Sequence, residues 1–245
     1  MSLPKKKSEI LNDLKEYVIL IFGIPKVGKT TLAAQFDDPL FLSLEPGTKS
    51  LSVYRTEIKK WKNFTETIEE LEKEKDRFKT VVIDTFAKLH DLCLEGVCKE
   101  LGVDHPADAP YGKGFNMVDQ EFNKWMNRLT LSGRGIVLLC HEDSKDIEQK
   151  DGSVLTMLIP KASKQARDYI NRCVDLVSYY YFGKDGKRYI RVQGTNDIMA
   201  GNRIDGHFKD ISKFFVGNSA KEAYQTFLKA FNNTSAESAV KKFSL

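Results

Sequence analysis

Short continuous apolar runs alternate with segments in which apolar residues recur every three or four positions, and this pattern fills the first 140 residues. Uninterrupted runs are typical of strands buried on both faces, whereas the wider spacing is typical of amphipathic helices. The predicted strands lie at residues 17–22, 39–44, 80–83 and 135–140. The predicted helices lie at residues 30–36, 63–77, 86–97 and 118–129. Strands that alternate with helices in this way predict a parallel sheet with helices on its faces.

The pattern changes after His141, where two Asp-Gly pairs occur between runs of strand-forming residues. Asp151-Gly152 and Asp185-Gly186 are typical of hairpin turns, and residues 176–182 and 187–193 flank the second as a clear strand pair. Further helices are predicted near residues 161–172 and 219–231. The predicted fold class is therefore α/β, a mostly parallel central sheet flanked by helices and extended by antiparallel hairpin strands.

One run has the spacing of a phosphate-binding loop. Residues 23–30 fit G-x-x-x-x-G-K-[ST] and lie between a predicted strand and a predicted helix. The glycines let the backbone turn its N–H groups toward a phosphate chain, Lys29 reaches the outer phosphates, and the Thr30 hydroxyl can ligate Mg²⁺. The predicted nucleotide-binding residues are Gly23, Ile24, Pro25, Lys26, Val27, Gly28, Lys29, Thr30 and Thr31. The loop therefore predicts ATP and Mg²⁺ as ligands, without by itself separating ATP from GTP.

Three polar residues follow predicted strands, and the carboxyl ends of parallel strands meet at one end of a sheet. Asp84 is predicted to hold Mg²⁺ opposite Thr30. Glu45 is the candidate general base, because Thr85 and not a glutamate follows Asp84. His141 is predicted to contact the γ-phosphate and to report its presence to the loop that follows. Together with Lys29, Glu45 and His141 make up the predicted catalytic group.

Two more basic residues are candidates for phosphate contacts. Lys113 lies in the Gly-rich segment 111–114, where it reaches a phosphate or a neighbouring subunit, or is a solvated loop lysine. Arg203 follows the last predicted hairpin, and we predict that it acts catalytically in the nucleotide site of the next subunit. An ordinary surface arginine is the alternative.

Basic and aromatic residues are interleaved in the last third of the chain. The basic residues are Lys161, Lys164, Arg167, Arg172, Lys184, Lys187, Arg188 and Arg191, and the aromatic residues are Tyr179, Tyr180, Tyr181 and Tyr189. Charges that follow a phosphate backbone and rings that stack on bases suit single-stranded DNA. A solvated charged face beside core aromatics explains the same pattern. The net charge of +4 permits a nucleic-acid partner without requiring one.

Composition and length indicate a globular cytoplasmic protein without a membrane partner. The 245 residues contain no apolar run near the roughly 20 residues of a membrane span, and Lys5–Lys7 adjoin no apolar segment of a signal peptide. The four cysteines lack metal-type spacing and are typical of reduced thiols. We divide the chain into an N-terminal extension at 1–14, a nucleotide-binding core at 15–218, and a C-terminal helix with a flexible tail at 219–245.

Several segments together resemble RecA-type ATPases. Residues 81–85, in which Thr85 follows Asp84, resemble the second motif of that type, and residues 42–45 resemble the strand that ends in its catalytic glutamate. His141 falls where RecA-type proteins carry a polar sensor of the γ-phosphate. With segments 111–114 and 200–203, the chain is similar to phage-encoded RecA-like P-loop ATPases of the AAA class, short proteins of which some are linked to single-strand annealing and recombination.

This resemblance implies a RecA-like ATPase core that hydrolyses ATP with Mg²⁺ and is stimulated by DNA in some members. It also implies a homo-oligomer with nucleotide sites between subunits, single-stranded DNA as a partner, a single-strand-binding or other recombination protein as a second partner, and a bacterial host cytoplasm. The resemblance of the Arg203 segment to the trans-acting basic pair of RecA proteins is loose.

Two other functions are compatible with the loop. A P-loop small-molecule kinase would need an arginine-rich lid, for which Arg167 and Arg172 are the candidates. A non-catalytic nucleotide-dependent switch or scaffold is compatible with the absence of a glutamate directly after Asp84. ATP turnover without an acceptor disfavours the kinase, and tight ATP binding without phosphate release favours the switch.

Overall fold

A computed structural model describes residues 3, 5–7 and 11–234 of the chain. The strands are β1 (Val18–Gly23), β2 (Pro39–Ser43), β3 (Tyr54–Glu57), β4 (Thr80–Asp84), β5 (Gly135–Glu148), β6 (Val154–Pro160), β7 (Leu176–Phe182), β8 (Arg188–Arg191), β9 (Gly201–Asn202) and β10 (Lys213–Phe215). The helices are α1 (Lys29–Ala33), α2 (Trp61–Lys73), α3 (Phe86–Leu101), α4 (Lys113–Thr130), α5 (Lys164–Cys173) and α6 (Ala220–Phe231). The flexible tail predicted beyond α6 and part of the predicted N-terminal extension lie outside the described residues.

The strands form one mixed sheet in the order β10-β8-β7-β1-β5-β4-β2-β3. The six strands from β7 to β3 run parallel, while β8, β10 and β9 pair antiparallel at the β7 side, and β6 pairs antiparallel with the second half of β5. A parallel pair needs a crossover, and α-helices make the crossovers of this sheet except between β2 and β3, which residues 44–53 connect. This architecture confirms the predicted fold class.

The register of the parallel strands brings four strand ends together. Gly23 at the end of β1 pairs with His141 of β5, and Asp84 at the end of β4 pairs with Ser43 at the end of β2. Asp84 also pairs with Leu139 of β5. The residues that follow these strands therefore meet at the carboxyl end of the sheet, as the sequence predicts.

The two faces of the sheet have separate apolar cores, because successive side chains of a buried strand point to opposite faces. Leu20 and Phe22 of β1 belong to the core that α2, α3, α4 and α5 cover. Ile19 and Ile21 of the same strand belong to the core that α1 and α6 cover. We call these the four-helix face and the two-helix face.

Both predicted hairpins are confirmed, and one is longer than the pattern indicates. The turn at Asp151-Gly152 joins β5 to β6, and the turn at Asp185-Gly186 joins β7 to β8. The strand predicted to end at His141 continues to Glu148, because its second half leaves the parallel sheet and pairs with β6.

Other boundaries differ from the predicted ones for local reasons. The helix predicted near 161–172 begins at Lys164, because Ser163 caps it by accepting a hydrogen bond from the Ala166 amide at 3.2 Å. The helix predicted over 63–77 spans 61–73. Lys113, which the sequence places in a loop, is the first residue of α4. The short strands β3, β9 and β10 were not predicted.

Within the described residues, no helix combines the length and the apolar character that crossing a bilayer requires. The thiols of Cys93, Cys98 and Cys140 are buried, and that of Cys173 is partly exposed. All four cysteines are free thiols.

Candidate functional site

The loop between β1 and α1 packs closely against Tyr180 of β7. A Cβ atom on Gly23 would lie 2.0 Å from the Tyr180 carbonyl oxygen, a distance at which the backbone of β7 would have to move. Gly28 has a φ angle of +114°, which side chains disfavour, and a Cβ there would lie 3.3 Å from the Tyr180 hydroxyl. Val27, between them, is fully buried in the core of the two-helix face. Both glycines of the sequence motif are therefore required by the backbone geometry.

Lys29 points back across the mouth of this loop. Its Nζ donates hydrogen bonds to the carbonyl oxygens of Gly23 at 2.9 Å and Ile24 at 2.8 Å, and the residue is only 6% exposed. Burial lowers the pKa of the ammonium group, and the charge of Asp84 opposes that effect. An ammonium group has three N–H donors, so a third remains for a phosphate oxygen.

Thr30 and Asp84 form the oxygen-rich part of the site. The Thr30 hydroxyl donates a hydrogen bond of 3.0 Å to Asp84 Oδ2. Burial raises the pKa of Asp84, the hydrogen bond from Thr30 lowers it, and the charge of Glu45 raises it further. Gly47 lies beside this pair, because a Cβ on it would be in van der Waals contact with Asp84 Oδ2 at 3.4 Å. The hydrogen bond holds the hydroxyl and the carboxylate side by side.

This pair of oxygen donors fits Mg²⁺, which prefers hard oxygen ligands. The described part of the chain holds no cluster of three or more His, Cys, Asp or Glu residues that could hold a metal ion. A cation at Thr30 and Asp84 would therefore take its remaining ligands from phosphate oxygens and water, as Mg²⁺ in nucleotide sites does.

Glu45 is joined to two neighbours at the carboxyl end of the sheet. The Thr85 hydroxyl donates a hydrogen bond of 3.0 Å to Glu45 Oε1, and His141 Nε2 lies 3.4 Å from Glu45 Oε2. The Glu45 and His141 side chains are 42% and 35% exposed, so both remain accessible to a ligand. The structure thus brings Glu45 and His141 together, two residues that the sequence predicts separately.

Two further residues of this region had no predicted role at this site: Tyr179 was named only as an aromatic ring for single-stranded DNA, and Glu142 was not singled out. The Tyr179 hydroxyl of β7 donates a hydrogen bond of 2.9 Å to Glu142 Oε2, directly after His141. Burial raises the pKa of the Tyr179 hydroxyl, and the bond to Glu142 raises it further. The charge of Glu142 also raises the pKa of Lys29, so this carboxylate lies within electrostatic reach of the loop. The available signal for Glu142 was its position directly after His141, at the end of the apolar run 135–140.

Arg203 is not brought to the loop of its own chain. It follows β9, which pairs with the beginning of β7, whereas the loop meets β7 near its end. Its guanidinium donates hydrogen bonds of 2.7–3.1 Å to the carbonyl oxygens of Asn171, Arg172 and Val174, where α5 ends. Within one chain Arg203 therefore caps a helix, and a role in a neighbouring subunit stays a prediction.

The remaining predicted residues lie at or near the surface. Pro25, Lys26 and Thr31 are exposed positions of the loop and of α1. Lys113 lies over the ring of Tyr111, with its Nζ 5.7 Å from the ring centroid. Arg167 donates to the Ala162 carbonyl oxygen, and Arg172 donates to the Asp168 carbonyl oxygen, so both of these arginines bond to backbone at the ends of α5.

Comparison with known proteins gives two findings. A protein family described as "AAA domain" matches residues 15–204. A curated relative, the "SPbeta prophage-derived uncharacterized protein YorG" of Bacillus subtilis (strain 168), is 26% identical over 179 residues, which cover 70% of this chain and 53% of the relative. The chain therefore spans about half the length of that relative. Neither description mentions RecA or recombination.

Proposed function

This chain belongs to the AAA domain family, whose members are typically ATPases, and on that basis we propose that it binds ATP with Mg²⁺ and hydrolyses it. The observation that carries the proposal is the convergence of Glu45 and the Thr30–Asp84 pair on the loop that holds Lys29. Every one of these side chains is positioned by a strand end or by the loop itself.

Each residue has a role that its contacts support. Lys29 binds the outer phosphates with the donor that its two carbonyl partners leave over, and the loop amides bind the rest of the chain of phosphates. Glu45 orients the attacking water, and the hydrogen bond from the Thr85 hydroxyl holds the Glu45 carboxylate in place. His141, 3.4 Å from Glu45, senses the γ-phosphate. Thr30 and Asp84 would hold Mg²⁺, which would neutralise charge at the phosphates.

The finer part of the proposal is a RecA-like ATPase that acts in phage DNA recombination or single-strand annealing. Three features support it: Thr85 after Asp84, Glu45 after β2, and His141 within β5 at the same end of the sheet. The similarity to a prophage-derived protein supports a phage origin. The proposed partners are single-stranded DNA, further copies of the chain with nucleotide sites between subunits, and a single-strand-binding or other recombination protein.

The test is phosphate release from MgATP by the full chain, with and without single-stranded DNA. Wild-type protein is expected to release phosphate without any acceptor, and Lys29→Ala to lose ATP binding because the main phosphate cation is gone. Lys99→Ala is the control, since Lys99 is an exposed lysine of α3 and is not one of the predicted nucleotide-binding residues. Glu45→Gln is expected to bind ATP normally and to hydrolyse it about 100-fold more slowly.

Three results would contradict parts of this proposal. Unchanged ATP affinity in Lys29→Ala would refute the assignment of the loop. Wild-type turnover in Glu45→Gln would remove Glu45 as the base. Tight ATP binding by wild-type protein without phosphate release, with or without DNA, would replace the ATPase by a nucleotide-dependent switch.

A further inference from the structure

Three aromatic rings form a row across β7, β8 and β10. Tyr181 pairs with Tyr189 in the β7–β8 register, and Tyr189 pairs with Phe215 in the β8–β10 register. The ring centroids of Tyr181 and Tyr189 are 6.0 Å apart, and those of Tyr189 and Phe215 are 5.9 Å apart. We call these three residues the ring row. Cross-strand pairing places its members on the same face of the sheet.

Two members of the ring row, Tyr189 of β8 and Phe215 of β10, lie outside the packed interior. Ile190 and Phe214, which alternate with Tyr189 and Phe215 along their strands, are buried in the core of the two-helix face. Among the described residues, neither Tyr189 nor Phe215 joins either core, and both are partly exposed. Only Tyr181, next to the parallel strands, packs against the core of the four-helix face. The outer rings of the row therefore lie on a part of the sheet that none of the helices α1 to α6 covers.

Basic residues flank this row on both sides. On one side Arg191 pairs with Lys213 across β8 and β10, and Lys213 Nζ lies 6.0 Å from the Tyr189 ring centroid. On the other side Lys187 Nζ lies 5.6 Å from the ring centroid of Phe215. The Asp185 carboxylate accepts a hydrogen bond of 2.9 Å from the Tyr189 hydroxyl. The rings of the row are tilted to one another by 31° and 59°. Cations on both sides of such a row of partly exposed rings fit a ligand with flat bases and a charged backbone.

We infer that this face binds a single-stranded nucleic acid, with bases stacked on the ring row and phosphates bound by Lys187, Arg191 and Lys213. The inference locates the DNA partner of the proposed function and rests on it. Stacking on aromatic rings tolerates any base sequence, while the cations follow the phosphate backbone. A double strand does not fit, because its bases are already stacked on each other. A second copy that met this face with its own ring row would also bring its own Lys187, Arg191 and Lys213, so that like charges would oppose each other.

The first experiment changes charge and leaves the interior untouched. Lys187 and Lys213 are exposed, so the double variant Lys187→Glu, Lys213→Glu should fold with an unchanged melting temperature. We expect it to bind a labelled oligothymidylate at least about tenfold more weakly, and to lower the slope of log affinity against log salt by about 1.4, since each phosphate contact contributes about 0.7. The control is Lys73→Glu, Lys75→Glu, two exposed lysines at the end of α2. Basal phosphate release should be unchanged in both.

The second experiment tests stacking directly. In Tyr189→Trp the new indole should lose fluorescence when oligothymidylate binds, whereas Trp61 and Trp125 are buried and report little. Tyr54→Trp is the control, because Tyr54 is 63% exposed and lies on β3, the strand at the opposite edge of the sheet. Equal quenching at both positions, or none at residue 189, would overturn the ring row as the binding face.

The outcomes separate this inference from the function on which it rests. If wild-type protein binds no oligothymidylate at low salt, the DNA partner and the ring row both fall, while ATP hydrolysis stands on its own measurement. If wild-type protein binds but the Lys187, Lys213 variant binds equally well, only the ring row falls. If that variant changes the oligomeric state in sedimentation and keeps its DNA affinity, the face is an interface between copies and the inference is wrong.

Discussion

Asp84 is a carboxylate at 5% exposure, and its hydrogen bond from Thr30 only partly offsets the loss of water. Burial therefore raises its pKa in the folded chain above the value in an unfolded one. Protonated Asp84 therefore adds to the free energy of unfolding. This addition is fully present below the unfolded pKa of Asp84 and is lost as the pH rises through its folded pKa. Deprotonation of Asp84 in the folded chain therefore lowers the free energy of unfolding, and the deprotonated carboxylate is the form that a divalent cation requires.

Replacing this charge should raise stability and remove cation binding together. Without nucleotide, Asp84→Asn is expected to melt about 2–4 °C higher for each kcal/mol of relieved burial, because the neutral amide avoids the desolvation of a carboxylate. Its melting temperature should also depend less on pH just above the unfolded pKa of aspartate. Thermal unfolding with and without MgATP checks both effects. A lower melting temperature without nucleotide, or full stabilisation by MgATP, would contradict this account of Asp84.

The site was predicted from the sequence only as far as single residues at strand ends allow. Asp84, Glu45 and His141 were found because each follows an apolar run, and parallel strands end together. The hydrogen bonds from Thr85 to Glu45 and from Tyr179 to Glu142 were not predicted, because pairing between strand ends depends on the order and register of strands. Arg203 was assigned from its position after a hairpin, which does not show that its guanidinium is used to cap α5.

At the scale of elements, strand β5 has two different environments. Its first six residues are buried between β1 and β4, and the apolar run predicts them. Its second half, after His141, is largely exposed and paired only with β6, so its polar residues gave no signal until the Asp151-Gly152 turn. Edge strand β3 was missed for the same reason, since its residues Tyr54–Glu57 are mostly exposed and polar. A run of apolar residues predicts a buried strand. A strand at the edge of a sheet is largely exposed and polar, so its sequence carries little of this signal.

The contact between the loop and β7 gives a prediction for Gly23. In Gly23→Ala the new methyl group would meet the Tyr180 carbonyl oxygen, and neither β1 nor β7 can yield without losing their pairing. We expect a loss of about 1–3 kcal/mol in the free energy of unfolding, typical of overpacking, together with loss of ATP binding. Gly201→Ala in β9 is the control, because a Cβ there meets no atom within 4 Å. Denaturant unfolding and ATP titration measure both quantities, and equal behaviour of the two variants would refute the packing argument.

At the scale of the whole molecule, the two faces of the sheet are covered unequally. Four helices pack on one face, while the other depends on the short helix α1 and on α6. Helix α6 packs behind α1 through Phe36, whose ring centroid lies 4.9 Å from that of Tyr224 and 6.1 Å from that of Phe227. The predicted boundary at residue 218 would thus separate α6 from a core in which it is buried.

Phe227 tests how much that core depends on α6. Its side chain is fully buried, so Phe227→Ala should lower the free energy of unfolding by about 3–5 kcal/mol, the usual effect of removing a core phenyl ring. Gln225→Ala, at an exposed position of the same helix, should change it by less than about 0.5 kcal/mol. Denaturant unfolding of both variants is the measurement. Similar values for the two would show that α6 is an appendage.

The packing of α6 on the two-helix face limits how far this protein can be shortened for expression. A chain that ends at residue 204 keeps the phosphate loop, Asp84 and Glu45. It lacks α6, against which Phe36 packs just after the end of α1. Such a fragment would expose Ile190 and Val192 to water, and α1, which carries Lys29 and Thr30, would lose its contacts with α6. Its inactivity would say nothing about the chemistry of the site.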